Sequence, residues 1–577
     1  MYVRFKSSRA SKHPTVQVVE SYRENGKVKQ KIIASLGVIR DDNDRQRLIA
    51  MGHALISKLS QEKSGQQELF SAPSETNQHE AKVKTNGLVN PKNLVHVRSQ
   101  PCGAREVYGA LGRQIGFDAL LESIDKEHRH EFSVQQIVPI VVENRLVEPA
   151  SKRRSLFLET MEKGAVPCGL HQIYRAMDAI LPYADRFQTL AYQAATDLLD
   201  TKVECFFYDA TTLYFESVQQ DEVRDFGYGK DGKFNQVQIL FCLIVTPEGL
   251  PVGYEIFPGN TGETSTFQKA IENLSKRFNV VRATIVCDRG MLSGANLKFA
   301  EESAKMNYIV GEKLRKLPAK HQPQIFDAAG YIETGDIRIK DIAHPTRPDA
   351  RLILIYSQQR ANKDKKDRER FLAKLQKRLE KKKSKPKDFV SNAGVKKYVS
   401  LHGGTATLNR EAILKDEKWD GYFGIVTNHL LLHPAQVLSQ YRGLWQVEAA
   451  FRITKHDLAT RPIFHWTPDR IRTHVLLCFI ALVLERHLEV TLQKRGTPLT
   501  ATQIHDALSH CEKIHFQDEK SHRLFEMDRH KPAEAKVIYE ALGLPLRART
   551  RELPNPGASV VPMVHSVRPQ AYGIAPL

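Results

Sequence analysis

From position 203 the sequence becomes a succession of short β-branched and aromatic runs, at 204–208, 236–245, 252–257 and 283–287, each closing near polar or glycine-rich positions. Runs of that length and composition predict consecutive strands of one sheet. Upstream the texture differs. Across 104–200 apolar residues recur at three and four positions, as in Ile137, Ile140 and Val141 or Ile180, Tyr183, Phe187 and Leu190, so this region is expected to be largely helical. A helical block is thus followed by strands, a mixed α/β content. Ahead of both, two β-prone runs flank Glu24-Asn25-Gly26-Lys27, a strong hairpin signal. A helix is expected over 45–59, and the Gln-, Ser- and Lys-rich stretch that follows to about 92 has the composition of a linker.

Charge narrows the class of partner. The chain of 577 residues carries 85 Lys and Arg against 66 Asp and Glu, a net +19, and such an excess of cations predicts a polyanionic partner. The stretch 361–387 holds 13 Lys or Arg against four acids. Its Phe371, Leu372, Leu375 and Leu379 fall at helical spacing, so a basic amphipathic helix is expected to stop near Pro386. That helix is either a solvated face or a nucleic-acid contact. Seven cysteines lie far apart with no C-x-x-C pair, which argues against a disulfide framework and fits a reducing cytoplasm. The longest apolar run, 475–484, is half the roughly 20 residues that span a bilayer. It predicts a buried helix and no membrane partner.

Three acids stand out by their surroundings. Asp209 follows the apolar Phe206-Phe207-Tyr208, and Asp288 follows Thr284-Ile285-Val286-Cys287. A carboxylate at the end of a buried strand is held rigidly, and two such ends on neighbouring strands can share a metal. Glu448 lies among Leu444, Val447 and Phe451, which define a helical apolar stripe; Tyr441, Glu448 and Lys455 are seven apart, hence roughly on one helical face. Carboxylates of this kind select Mg²⁺ or Mn²⁺, and a pair of such ions serves in-line phosphoryl displacement. Taken singly, an Asp after a strand is more often a turn or cap residue than a ligand, and Glu448 alone reads as an ordinary surface helix residue.

In combination the motifs resemble the insertion-sequence DNA transposases that carry an Asp-Asp-Glu triad on an RNase H-like fold, in the branch with a Tyr-x2-Arg-x3-Glu-x6-Lys signature. Tyr441, Glu448 and Lys455 match that spacing, with Phe451-Arg452 following the acid, while Leu444 fills the Arg slot. Tyr208-Asp209-Ala210-Thr211-Thr212, the glycine-rich 227–233, Gly249-Leu250-Pro251-Val252 with Phe257-Pro258-Gly259-Asn260, and Cys287-Asp288-Arg289-Gly290-Met291 agree in order. The resemblance covers about 203–489. It implies an RNase H-like mixed sheet with flanking helices, an insertion domain between the second and third acids, and a mainly helical N-terminal region. Asp209 and Asp288 are 79 apart, whereas 160 positions separate Asp288 from Glu448, which leaves room for that insertion.

The expected organisation is then a hairpin and helix module at 1–60, a linker at 61–95, and a helical, candidate DNA-binding region at 96–200. The catalytic core occupies 201–310 and 422–490, interrupted by the insertion at 311–421; a C-terminal helical region and tail occupy 491–577. The resemblance further implies that Asp209, Asp288 and Glu448 are catalytic and hold two Mg²⁺ (or Mn²⁺) ions. It implies double-stranded DNA partners, namely terminal inverted repeats and a target, and a homodimer or higher synaptic complex on the bacterial nucleoid. Tyr441, Arg452, Lys455, Lys230, Lys233 and Arg289 are candidate DNA contacts. A metal-dependent nuclease without strand joining and an inactive DNA-binding derivative are the alternatives.

Other patterns carry less. The 22 histidines include no H-E-x-x-H, and His429 with His433 is the one H-x3-H pair, so no zinc site is expected. Gly227-x-Gly229-x-x-Gly232 precedes a β-prone stretch instead of opening a helix, which argues for a loop bearing Lys230 and Lys233 rather than a dinucleotide site. Trp445 is expected in the core.

Overall fold

The structure, a computed structural model, describes residues 2–8, 11–24, 27–38, scattered positions between 45 and 56, 90–128, 131–156, 168–227, 236–278, 283–291, 293–380, 393–402, 405–546 and 550–553. The expected linker, the turn at Asn25-Gly26, the helix end near Pro386, the C-terminal tail and both Lys230 and Lys233 lie outside the described residues.

The chain divides into two compact units, Met1–Lys92 and Asn93–Leu577. In the first, β1 (Tyr2–Ser8), β2 (Ser11–Glu24) and β3 (Lys27–Val38) form an antiparallel meander in which Glu24 pairs Lys27. The hairpin expected from Asn25-Gly26 is therefore present, with a further strand in front of it. Val16, Val18, Val19 and Leu36 are buried there with Leu48 from the helical positions beyond.

The second unit is built on a nine-stranded mixed sheet. Its centre comprises β5 (Cys205–Tyr214), β6 (Gln238–Val245), β7 (Pro251–Pro258), β8 (Thr284–Cys287) and β9 (Asn307–Glu312). β5, β6 and β7 form an antiparallel meander, whereas β8 runs parallel to β5 and β9 parallel to β8. The order β9-β8-β5-β6-β7, with β6 alone reversed among the five, is the RNase H-like arrangement. Every residue of β6 and β8 is buried, which requires cover on both faces.

Side-chain alternation assigns the faces. Phe207, Phe241, Leu243, Val286 and Ile309 pack on one side with Val447, Phe451 and the long helix Pro468–Lys494. Phe206, Tyr208, Cys242, Ile285 and Cys287 pack on the other with Phe267, Ile271 and Leu274 of the helix Glu263–Phe278. Pro468–Lys494 contains the apolar run 475–484 and buries residues all round, as a helix hydrophobic on every side must. Around it pack the helices Gly103–Ile115, Val134–Val147, Leu170–Ile180 and Ala184–Leu199, the helical block expected from periodicity. Among the described residues no helix is long and apolar enough to cross a membrane.

One expectation gains detail and one needs correction. The segment expected as an insertion, 311–421, extends the central sheet. β10 (Ile332–Thr334), β11 (Ile337–Ala343) and β12 (Arg351–Ser357) join it through β15 (Tyr422–Thr427), which pairs with β9. The boundary drawn at Gly311 falls inside β9, because an unpaired β9 edge would leave a ladder of backbone groups unmet. The rest of the segment carries the basic helix Gln358–Leu379 and the small hairpin β13 (Val399–His402) and β14 (Thr405–Leu408). The C-terminal region is also not purely helical. β16 (Glu512–Asp518), β17 (Leu524–Asp528) and β18 (Thr550–Leu553) pair in a sheet completed by β4 (Leu94–Pro101). β16 pairs with nearby β17 and also with β4, some 400 residues away in sequence, and no local pattern announces that second pairing.

Candidate active site

Asp209 is not a strand terminus: β5 continues to Tyr214, paired throughout with β6. On its other side β5 pairs with β8 only as far as Tyr208 opposite Cys287. Asp209 and Asp288 are thus the next residues of two parallel strands in register, where β8 has just ended. They also share parity with Phe207 and Val286, which places both on the face covered by the helix of Glu448. Their shared neighbourhood is visible at Cys287, whose thiol is pushed up by burial and then by the charges of Asp209 and Asp288. Asp209 Oδ1 accepts from the Ala210 amide at 2.8 Å, and Asp288 Oδ1 from the Arg289 amide at 2.6 Å.

Glu448 belongs to the helix Trp445–Arg452, anchored by buried Val447, Ala450 and Phe451; the Phe451 ring meets Phe241 of β6 edge-on at 6.0 Å. Its carboxylate is exposed and has no side-chain partner among the described residues. The expectation of one helical face for Tyr441, Glu448 and Lys455 needs revision. Tyr441 ends one helix, Pro434–Arg442, Glu448 occupies the next, and Lys455 lies in a π-helical turn, Ile453–Asp457. Two glycines hold these pieces down. A Cβ on Gly443, between the helices, would run into the ring of Phe207, two residues before Asp209; a Cβ on Gly311 of β9 would run into the Tyr441 hydroxyl. Burial, then the nearby charge of Asp288, pushes the Tyr441 phenol up to about 12, so it keeps its proton and remains a donor.

Residues 201–484 match the family model described as Transposase DDE domain, and residues 3–68 match that of the IS1634 family transposase, N-terminal domain. The chain belongs to the DDE transposases. Among solved structures, the transposase is similar to the piggyBac transposase in a synaptic complex with hairpin DNA, at 9% identity and a TM-score of 0.36, over 70% of this chain and 77% of that one. It is also similar to the Mos1 transposase in a paired-end complex with the left transposon end, at 14% identity and a TM-score of 0.14, over 33% and 57%. No curated protein matches.

Transposases of this family use divalent metal ions, and hard carboxylate oxygens on one sheet face suit them. Asp209 and Asp288 share that face and Glu448 rides on the helix that covers it, but among the described residues no three His, Cys, Asp or Glu side chains are gathered so as to hold a metal ion. The structure thus brings Asp209 and Asp288 side by side and sets Glu448 on the same side of the sheet.

Of the other candidates, Arg289 and Arg452 are exposed and Lys455 is half-buried. Arg289 borders a cleft of about 740 Å³ lined also by Lys313, Arg315, Lys316 and Arg360 against Glu312, Asp364, Asp416 and Asp420. Trp445 is not in the core; it is 58% exposed, because the stripe formed by Val447, Ala450 and Phe451 turns it to the opposite side. His433 caps the helix of Tyr441, accepting from the Ala435 amide. Sequence reasoning missed Glu263. Its Oε2 and Asp288 Oδ2 lie 3.4 and 4.0 Å from where a Cβ on Gly290 would stand, which puts a fourth carboxylate beside the site. The turn Gly259-Asn260-Thr261-Gly262 directly before it was the available signal.

Proposed function

We propose that this transposase hydrolyses the phosphodiester at the ends of an insertion sequence and joins the freed 3′-hydroxyl to target DNA, with Asp209, Asp288 and Glu448 as the catalytic acids. The observation that carries the reading is the placement of Asp209 and Asp288 directly after the last in-register pair of two adjacent parallel strands, on the sheet face to which the helix of Glu448 is fixed. These acids would hold two Mg²⁺ (or Mn²⁺) ions. When bound, such a pair stabilises the attacking and leaving oxygens of an in-line displacement.

The chain's own residues do the rest. Buried β5 and β8 hold the two aspartates without slack, so DNA must come to them. Tyr441 donates its hydroxyl proton beside Asp288, and Arg289, Arg452 and Lys455 contact the phosphates that flank the scissile bond, with Lys230 and Lys233 contributing from the glycine-rich segment. Hydrolysis breaks the P–O3′ bond with water as nucleophile; strand transfer repeats the displacement with the 3′-hydroxyl, so one site serves both steps. The helical region 96–200 and the N-terminal module read the terminal inverted repeats, the basic helix grips DNA backbone, and a homodimer or larger assembly pairs two ends on the nucleoid.

The deciding experiment incubates the protein with Mg²⁺ and duplex DNA carrying the element's own ends. Cleaved and joined products are expected; cleavage without joining would reduce the reading to a nuclease, and binding without cleavage to a DNA-binding protein.

A further inference from the structure

Beside the long helix Pro468–Lys494 lies a buried group of basic side chains. Arg145, Lys152 and His474 are 6%, 4% and 5% exposed. Lys152 stands close enough to Arg145, His465 and His474 that its own ammonium is pushed down to about 7 by burial and by Arg145, while its charge in turn helps depress both imidazoles. No Asp or Glu is paired with any of the four among the described residues. Arg145 is spent on framework: it donates to the carbonyls of Leu458, Ala459 and Ala150 at 3.2 to 3.3 Å.

Other polar atoms of the group are not spent in this way. Lys152 has no hydrogen-bond partner among the described residues. Fully buried Thr460 keeps its Oγ1 unpartnered, and His474, which donates Nε2–H to the Thr460 carbonyl at 3.0 Å, keeps its Nδ1 unpartnered. Buried polar groups are normally satisfied, and a buried charge is paired, so two unpartnered buried atoms beside the buried Lys152 describe a receptor for an anion. Half-buried His465, its ring 5.1 Å from that of His474, leads from the group to the surface at Phe464 and Trp466, which are 64% and 66% exposed.

We propose that Lys152, Thr460 and His474, framed by Arg145 and His465, form a phosphate-binding site that takes a backbone phosphate of bound DNA away from the reaction centre. Its position fits. Ile463 donates to the Tyr214 carbonyl at the far end of β5, five residues past Asp209, roughly 17 Å along the strand and about five base-pair steps of a duplex laid over both. An incoming phosphate accepts from the ammonium and the hydroxyl, and lets His474 take up a second proton and donate through Nδ1. That the phosphate belongs to DNA rests on the proposed function; that the site takes an oxyanion does not.

The test uses the full-length protein and the variants Lys152→Met and Thr460→Val, which keep length and shape. Inorganic phosphate, against chloride at equal ionic strength, is expected to raise the Tm of the wild type and not that of Lys152→Met, with Thr460→Val intermediate. Lys152→Met by itself is expected to raise Tm in chloride, since it removes an unpaired buried cation. It should also weaken binding to duplex element ends and reduce the slope of log K against log salt by about 0.9, one phosphate contact. A phosphate response with unchanged DNA affinity overturns DNA as the source and leaves a free oxyanion. Absence of a phosphate response in the wild type, together with an unaltered salt slope in Lys152→Met, overturns the site.

Discussion

Two regions of this transposase carry the residues that sequence alone singles out, and they treat charge in opposite ways. Asp209 and Asp288 emerge from strands whose other residues are almost wholly buried; Asp209 is paired in the ladder with antiparallel β6, and Asp288 directly follows the last paired residue of β8. The lysines at 363, 365, 366, 374 and 377 of the helix Gln358–Leu379 stand in solvent, with little but Ala361, Arg368 and Leu375 buried beneath them. Chemistry at a phosphorus atom demands position, so a displacement of an ångström matters there. Affinity for a polyanion demands only charge, which acts over several ångströms in water and is screened by salt. Substitutions in the first region should therefore act as switches, and those in the second as small increments.

The sharpest way to break that contrast is to replace Asp209, Asp288 or Glu448 with Ala and measure cleavage of end-bearing DNA beside its binding. Each replacement is expected to slow cleavage at least a thousandfold, about 4 kcal/mol of barrier, while affinity stays near that of the wild type. Chelation of divalent ions should do the same to the unaltered protein. A variant that cleaves at an undiminished rate loses its place as a ligand. Next in size is Gly443→Val, which drives a branched side chain into Phe207. Overpacking of this kind costs about 1 to 3 kcal/mol, read as a lower Tm, and cleavage should fall more steeply than stability because the helix of Glu448 shifts with it. If Tm falls and cleavage per folded molecule does not, Gly443 is a packing glycine without bearing on the site.

How much of this was legible in the sequence follows from range. The strands around Asp209 and Asp288 were legible because each is a short apolar run bounded by polar residues, and the helix at 475–484 because it is apolar on all sides. Periodicity could not show that β10, β11 and β12 extend the catalytic sheet, or that β4 pairs with β16, since those pairings are set between residues far apart in the chain. The break at Gly443 was hidden for a related reason: the spacing of Tyr441, Glu448 and Lys455 fits one continuous helix, and only the ring of Phe207 explains the glycine. Trp445 misled because a lone Trp beside apolar neighbours reads as core, whereas the phase of Val447 and Phe451 turns it outward. Glu263 stayed unnoticed because its partner across space, Asp288, is 25 positions on.

Arg368 tests the contrast within a single helix. Unlike the lysines around it, Arg368 is buried, bonded to Asp420 at 2.5 Å and within 3.5 Å of Glu417, and the first of these bonds, with the charges of both acids, holds its guanidinium above the usual range against the cost of burial. Arg368→Met leaves Asp420 without this partner and is expected to cost about 2 kcal/mol of stability, seen by thermal or urea unfolding, with no change in the salt dependence of DNA binding. A flattened salt slope in this variant would make Arg368 a DNA contact and erase the distinction between anchoring and gripping residues on this helix.

The smallest effects per residue belong to the exposed lysines. Replacing Lys363, Lys365, Lys366, Lys374 and Lys377 one at a time with Gln should change stability by no more than about 0.5 kcal/mol, as surface substitutions do, and should leave cleavage of saturating DNA unaltered. Each lysine that meets a phosphate should lower the slope of log K against log salt by about 0.9, so the five together flatten it by up to five contacts while Kd at low salt rises in proportion. The prediction turns on additivity. Charges that act through solvent contribute independently, so the slope must fall stepwise with the number replaced. A single replacement that accounts for most of the loss would mean that one lysine is held in a fixed pose against the nucleic acid, and the helix would then work by position, as the aspartates do, instead of by charge.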